Sequence, residues 1–183
     1  LQLNHAGEKG SCSRPWEGGS RLDCDAGGWA TEGTDPARGG LTEAALETLL
    51  NTWEDAAKRA LLAGVDVLEL HCAHGYLLHQ FLSPLTNHRN DRFGGNLENR
   101  MRYPLAVAER LRGVWPEHLP LFVRVSVVDG VPDGLTLEDT LHFCQALKAL
   151  GIDLIDCSSG GINGSATNPA TAPKTPGFQG QYA

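Results

Sequence analysis

Methionine is almost absent from this chain. Met101 is the only one, and the sequence begins with Leu1 inside what reads as a strand. No natural start is visible, so the chain is expected to be an internal piece of a longer protein. Its five cysteines, Cys12, Cys24, Cys72, Cys144 and Cys157, are odd in number, scattered, and contain no CxxC pair. That pattern suggests neither a disulfide framework nor a zinc knuckle, and implies a reduced, cytoplasmic setting. No apolar run is long enough to cross a bilayer and no signal peptide is visible. No GxGxxG and no Walker-type GxxxxGK occurs, so a Rossmann or P-loop reading lacks its phosphate loop. Positive charge is in deficit, with 15 Lys and Arg against 22 Asp and Glu and a net charge of −7. This weighs against nucleic acid or an anionic membrane as the main partner. Asn163-Gly164-Ser165 fits a glycosylation sequon of the kind that recurs by chance.

What is present is a globular composition and an alternating pattern. The 183 residues are 41% hydrophobic, enough for one core. LQLNH (1–5) reads as the end of a strand, and residues 6–40 have loop composition. Thr42 is placed to cap a helix that keeps Leu46, Leu50, Trp53, Ala57 and Ala60 at helical spacing and ends at Gly64. VDVLELH (65–71) has the length of a buried strand. A second loop over 72–95 leads to Asn96, which caps a helix to about Leu111. LFVRVSV (121–127) is a strand. Thr136-Leu137-Glu138-Asp139 is a capping box opening a helix to about Leu150. IDLIDC (152–157) is the last strand. AGVDVLEL (63–70) and LGIDLIDC (150–157) repeat one pattern, a helix leaving through glycine into a strand. Strands alternating with helices imply an α/β fold with a parallel sheet. A barrel fits better than an open sheet, although four strands are half of eight. In either architecture the chemistry belongs at the carboxyl ends of the strands.

His71, Ser158 and His5 lie at strand ends, and Arg124 lies near one. HCAHGY (71–76) places His71, His74 and Tyr76 at the end of the second strand. Two imidazoles can donate hydrogen bonds to a substrate oxygen and polarise it, and a tyrosine can deliver a proton as a general acid. The bland alternative is a histidine satisfying backbone groups and a tyrosine packing a loop. His71-x-x-His74 with Cys72 and His5 also spells a metal-site pattern, but no carboxylate stands at a natural third-ligand offset, and no metal is expected. Arg124, inside an apolar strand, needs an anion, a polar ring, or an internal salt bridge to Glu69 or Asp156. Gln2 offers paired amide hydrogen bonds, or satisfies the core.

The stretch ELHCAHGYLLHQFLSPLTNHRNDRFGGNLENR (69–100) resembles the signature of the Old Yellow Enzyme family of FMN-dependent ene reductases. LQLNHAG (1–7), RPWEGG (14–19), PLFVRVS (120–126) and LIDCSSGG (154–161) agree in order and spacing, and RPWEGG is most similar to the bacterial xenobiotic-reductase branch. The resemblance covers nearly the whole chain. It implies a (β/α)8 TIM barrel of which residues 1–183 are the central part, about strands three to six of a single FMN-binding domain. It implies FMN as cofactor and NAD(P)H as reductant, with activated C=C bonds of α,β-unsaturated carbonyl compounds as substrates. By the same resemblance, His71 and His74 hold the carbonyl oxygen of an enone and Tyr76 protonates its α-carbon. Gln2 contacts the flavin pyrimidine, and Arg124 stabilises negative charge on the reduced ring.

The sequence also departs from the family. Glu8 stands where relatives usually carry arginine. The first two strands and the last two, which bring the phosphate site, are absent, so weak FMN affinity and weak or no activity are expected of this piece alone. Two rival readings follow: a truncated, inactive half-barrel that self-associates as a homo-oligomer or binds a partner through its exposed edges, and a metal-dependent barrel hydrolase.

Overall fold

A computed structural model describes residues 1–7, 41–162 and 176–182. Glu8, Cys12, Cys24, RPWEGG and the sequon at Asn163 lie outside the described residues. The element order is β1 (Gln2–Leu3), α1 (Glu43–Leu62), β2 (Leu68–Cys72), α2 (Leu77–Leu82), α3 (Leu97–Val114), β3 (Leu121–Ser126), α4 (Leu137–Ala149), β4 (Leu154–Ser158) and a 3-10 turn (Gly180–Tyr182). The strands form one sheet in the order β1-β2-β3-β4, every pair parallel.

Register and burial divide the sheet into two faces. Leu70 pairs with Leu3 and Val123, and Val123 with Ile155; Leu68 pairs with Leu121, and Cys72 with Val125. These side chains join one apolar core with Leu50, Trp53, Val107, Leu111, Phe143 and Leu147 of the helices. Each leucine buried to this degree contributes roughly 1.5–3 kcal/mol. The alternate residues face the other way. There Gln2, Glu69 and Phe122 are level with one another, and His71, Arg124 and Asp156 form the next row toward the carboxyl ends. Gln2 is exposed, Glu69 and Phe122 are half-buried, and Leu154 is 45% exposed. Among the described residues, helices therefore cover one face, and the other, which carries the polar row, is open.

The internal repeat has a structural counterpart at both of its helix ends. After α1, Gly64 donates to the Leu61 carbonyl and Val65 to the Ala60 carbonyl; after α4, Gly151 donates to Lys148 and Ile152 to Leu147. Both are Schellman caps, and both glycines take the positive φ that the motif requires, 75° and 81°. The predicted caps form as well. Thr42 accepts the Ala45 N–H, Asn96 that of Asn99, and Thr136 and Asp139 make the reciprocal capping box. A cap of this kind is worth about 1 kcal/mol.

Three expectations are corrected. Residues 1–5 narrow to the two-residue β1. The second strand starts at Leu68 rather than Val65, because Val65 is used by the helix cap. The loop over 72–95 contains α2, whose six residues are all buried. Its sequence LLHQFL spans fewer than two turns, too short for a helical period to stand out from a loop in sequence reading.

Candidate active site

The carboxyl ends of three strands converge on the turn after β2. His74 adopts a left-handed conformation, φ 59°, which few non-glycine residues occupy without outside support. Support comes from Ser126 at the end of β3. Its Oγ accepts the His74 N–H at 3.0 Å while its own proton goes to the Gly160 carbonyl at 2.7 Å. The chain after β4 presses directly on the turn. A Cβ on Gly161 would stand 2.3 Å from the His74 Cα, so only glycine fits there. Ser158, the last residue of β4, brings its Oγ to 2.6 Å from His74 Nε2. The turn just before the 3-10 segment adds Gln179, whose Nε2 donates to Ser158 and Ser159 at 3.2 and 2.9 Å.

These anchors gather the three residues that the sequence singled out. The ring centroids of His71 and His74 are 5.1 Å apart, and those of His71 and Tyr76 are 5.3 Å apart. His71 is buried; His74 and Tyr76 are half-buried. Two imidazoles and a phenol thus form one polar group at the rim of the open sheet face. It can hold an oxygen atom and supply a proton to a neighbouring carbon.

Gln2 and Arg124 lie on the same open face, each with a carboxylate beside it. Gln2 Nε2 donates to Glu69 Oε2, and Arg124 Nε lies 3.2 Å from Asp156 Oδ2. The internal salt bridge open to Arg124 is thus formed with Asp156, not Glu69. Its side chain is 34% exposed rather than sealed in a core, and Gln2 is exposed rather than satisfying one. His5 faces Trp53 of α1, with its Nδ1 accepting the Gly7 N–H, and burial holds its pKa below the ordinary 6.5. Among the described residues no group of three His, Cys, Asp or Glu could hold a metal ion.

Of the residues that hold this turn, Ser158 is singled out in the sequence as a polar residue at a strand end, whereas Ser126 and Gln179 are not. Ser126 also stands at the carboxyl end of its strand, the one signal that could have found it. Cleft size does not mark the site. A cleft of about 500 Å³ opens among α1, α3 and α4 beside Leu46, Tyr103 and Leu150, on the helix-covered side of the sheet.

Comparison with known proteins gives concordant matches. The model of the NADH:flavin oxidoreductase / NADH oxidase family matches residues 2–180. A NADH:flavin oxidoreductase of Gibberella zeae is 42% identical over 185 residues, covering 89% of this chain and 45% of the relative. A NADPH dehydrogenase of Geobacillus thermodenitrificans is 39% identical, covering 100% of this chain and 50% of the relative. The solved Old Yellow Enzyme homologue from Zymomonas mobilis superposes with a TM-score of 0.60 at 30% identity, over 68% of this chain and 36% of its own. This chain therefore spans about half the length of the curated relatives it matches.

Proposed function

The chain belongs to the NADH:flavin oxidoreductase / NADH oxidase family, and on that premise we propose that it is the central part of an FMN-dependent ene reductase. Membership implies FMN as cofactor and NAD(P)H as reductant. Within that frame, residues 1–183 are the middle of one FMN-binding (β/α)8 barrel domain, and the substrates are α,β-unsaturated carbonyl compounds with an activated C=C bond. The observation that carries this reading is the single cluster of His71, His74 and Tyr76 at the carboxyl end of β2. The thiols of Cys72, Cys144 and Cys157, all free, support a reducing cytoplasmic setting, and no described helix is long and apolar enough to cross a membrane.

The donors on the open face fit a flavin edge. Gln2 offers an amide that both donates and accepts, matching the alternating C=O and N–H of a pyrimidine ring. Arg124 adds a permanent cation that favours a ring carrying negative charge. Each has the carboxylate level with it in the sheet as its neighbour, Glu69 for Gln2 and Asp156 for Arg124.

Held by Gln2 and Arg124, bound FMN would supply the two-electron chemistry, a hydride equivalent for the β-carbon with NAD(P)H as its source. The chain's own residues do the rest. His71 and His74 donate hydrogen bonds to the carbonyl oxygen, where negative charge develops as the double bond is consumed. The Tyr76 hydroxyl gives its proton to the α-carbon, and the phenolate regains one from solvent. The sum is one hydride and one proton added across C=C, with the carbonyl unchanged. The test is anaerobic turnover of the FMN-loaded enzyme with NADPH and cyclohexenone. One saturated ketone formed for each NADPH consumed supports the reading. Full flavin reduction by NADPH with no saturated ketone overturns it.

A further inference from the structure

A buried pair outside the substrate group grips the turn that bears it. His79, on α2, is wholly buried. Its Nδ1 accepts the Gly75 N–H at 2.9 Å, and its Nε2 lies 2.9 Å from Asp129 Oδ1. Because Nδ1 is the acceptor, the ring proton sits on Nε2 and is donated to Asp129. Asp129, in the loop after β3, is equally buried. Its Oδ2 takes the Ser83 hydroxyl at 2.6 Å and the Leu135 N–H at 2.7 Å. Gly75 stands between His74 and Tyr76. Two successive backbone donors of this turn are thus held by side chains, His74 N–H by Ser126 and Gly75 N–H by His79.

We propose that His79 and Asp129 are positioning residues for the reaction, acting through Gly75 to fix the ring of His74 and the hydroxyl of Tyr76 relative to the substrate. The inference rests on the role given above to His74 and Tyr76. Asp129 sets the His79 tautomer, and the tautomer decides whether Gly75 has an acceptor. Without that acceptor the strained turn at His74 loses one of its two backbone anchors.

Asp129→Asn tests this with little change of volume. The Ser83 hydroxyl and the Leu135 N–H both point at Oδ2 and keep the amide oxygen there, which turns the amide NH2 toward His79. His79 then moves its proton to Nδ1, where it faces the Gly75 N–H, donor against donor. In the FMN-loaded enzyme three results are expected together. The 15N spectrum shows the His79 proton moved from Nε2 to Nδ1, and the Gly75 amide proton shifts upfield. The rate of flavin reduction by NADPH stays unchanged. The rate of flavin reoxidation by cyclohexenone falls at least about tenfold, as expected when a reacting group is held in the wrong geometry. His79→Gln, which keeps one acceptor and one donor in place, should recover most of that rate, whereas His79→Leu should not. If Asp129→Asn flips the tautomer and reoxidation is undiminished while Tyr76→Phe slows it, positioning is refuted and the proton-donor reading stands. If Tyr76→Phe is itself without effect, the underlying reading has failed instead. Should Asp129→Asn not fold, the wild-type spectrum still decides, since a His79 ring protonated on Nδ1 contradicts the proposal.

Discussion

The side chains of His74 and Ser158 meet across the end of the sheet, Nε2 to Oγ at 2.6 Å. The contact ties the turn after β2 to the last residue of β4, two strands away. Gln179 donates to the same Oγ at 3.2 Å and so helps to hold the Ser158 hydroxyl against the His74 ring. Ser158→Ala removes that constraint. A neutral hydrogen bond of this kind contributes about 0.5–1.5 kcal/mol, so the dissociation constant of a saturated ketone, read from the flavin spectrum, should rise by about two- to tenfold. An unchanged constant would show that Ser158 does not orient the ring.

The described thiols should be poor nucleophiles while the protein is folded. Burial drives the Cys72 thiol far above its ordinary value, and raises Cys157 as well. Cys144, again chiefly by burial, is pushed up to about 11 from an ordinary 9.0, a gap that cuts its thiolate population about a hundredfold. Mass spectrometry after iodoacetamide treatment at neutral pH should find Cys72 unmodified until denaturant is added, with Cys144 labelled far more slowly than a free thiol. Rapid native labelling of Cys72 would contradict the buried strand end described for it.

Acid should destabilise the fold in two stages. Burial holds the His5 pKa below 6.5, so the unfolded chain takes up this proton first; stability is complete above about 6.5 and declines as pH falls below it. For Asp129, burial works to raise the pKa, but the hydrogen bonds from His79, Ser83 and Leu135 outweigh it and hold the carboxyl below 3.8. Its contribution is therefore present above about 3.8 and is lost as pH falls through the lower folded value. Urea midpoints measured across this range should drop in both windows, and His5→Asn should flatten the upper one alone. A midpoint that rises on acidification would have the wrong sign.

Much of this arrangement is legible in the residues, and the exceptions have physical reasons. The alternation of Leu68 and Leu70 with Glu69 and His71 announces the two faces of β2, because strand side chains alternate strictly. Gly64 and Gly151 announce two helix ends, because the Schellman motif needs a left-handed residue. HCAHGY places its three polar groups together because they follow one another around one turn. α2 escapes notice because its six residues are fewer than two turns, too few to establish a helical period. The His79–Asp129 pair escapes because its members are 50 residues apart and meet only through the crossover that sets β3 beside β2. The Arg124 pairing was narrowed to two carboxylates by the sequence, and the β3–β4 register selects Asp156 by placing it level with Arg124.

The most direct test of the central claim separates the two half-reactions of the FMN-loaded enzyme in a stopped-flow instrument. Flavin is first reduced by NADPH and then mixed with cyclohexenone. In Tyr76→Phe the first rate should match that of the parent, and the second should fall by about a hundredfold or more, the contribution typical of a positioned general acid. An undiminished second rate would contradict the assignment of Tyr76 as proton donor, and with it the account of why His71, His74 and Tyr76 are gathered at the end of β2.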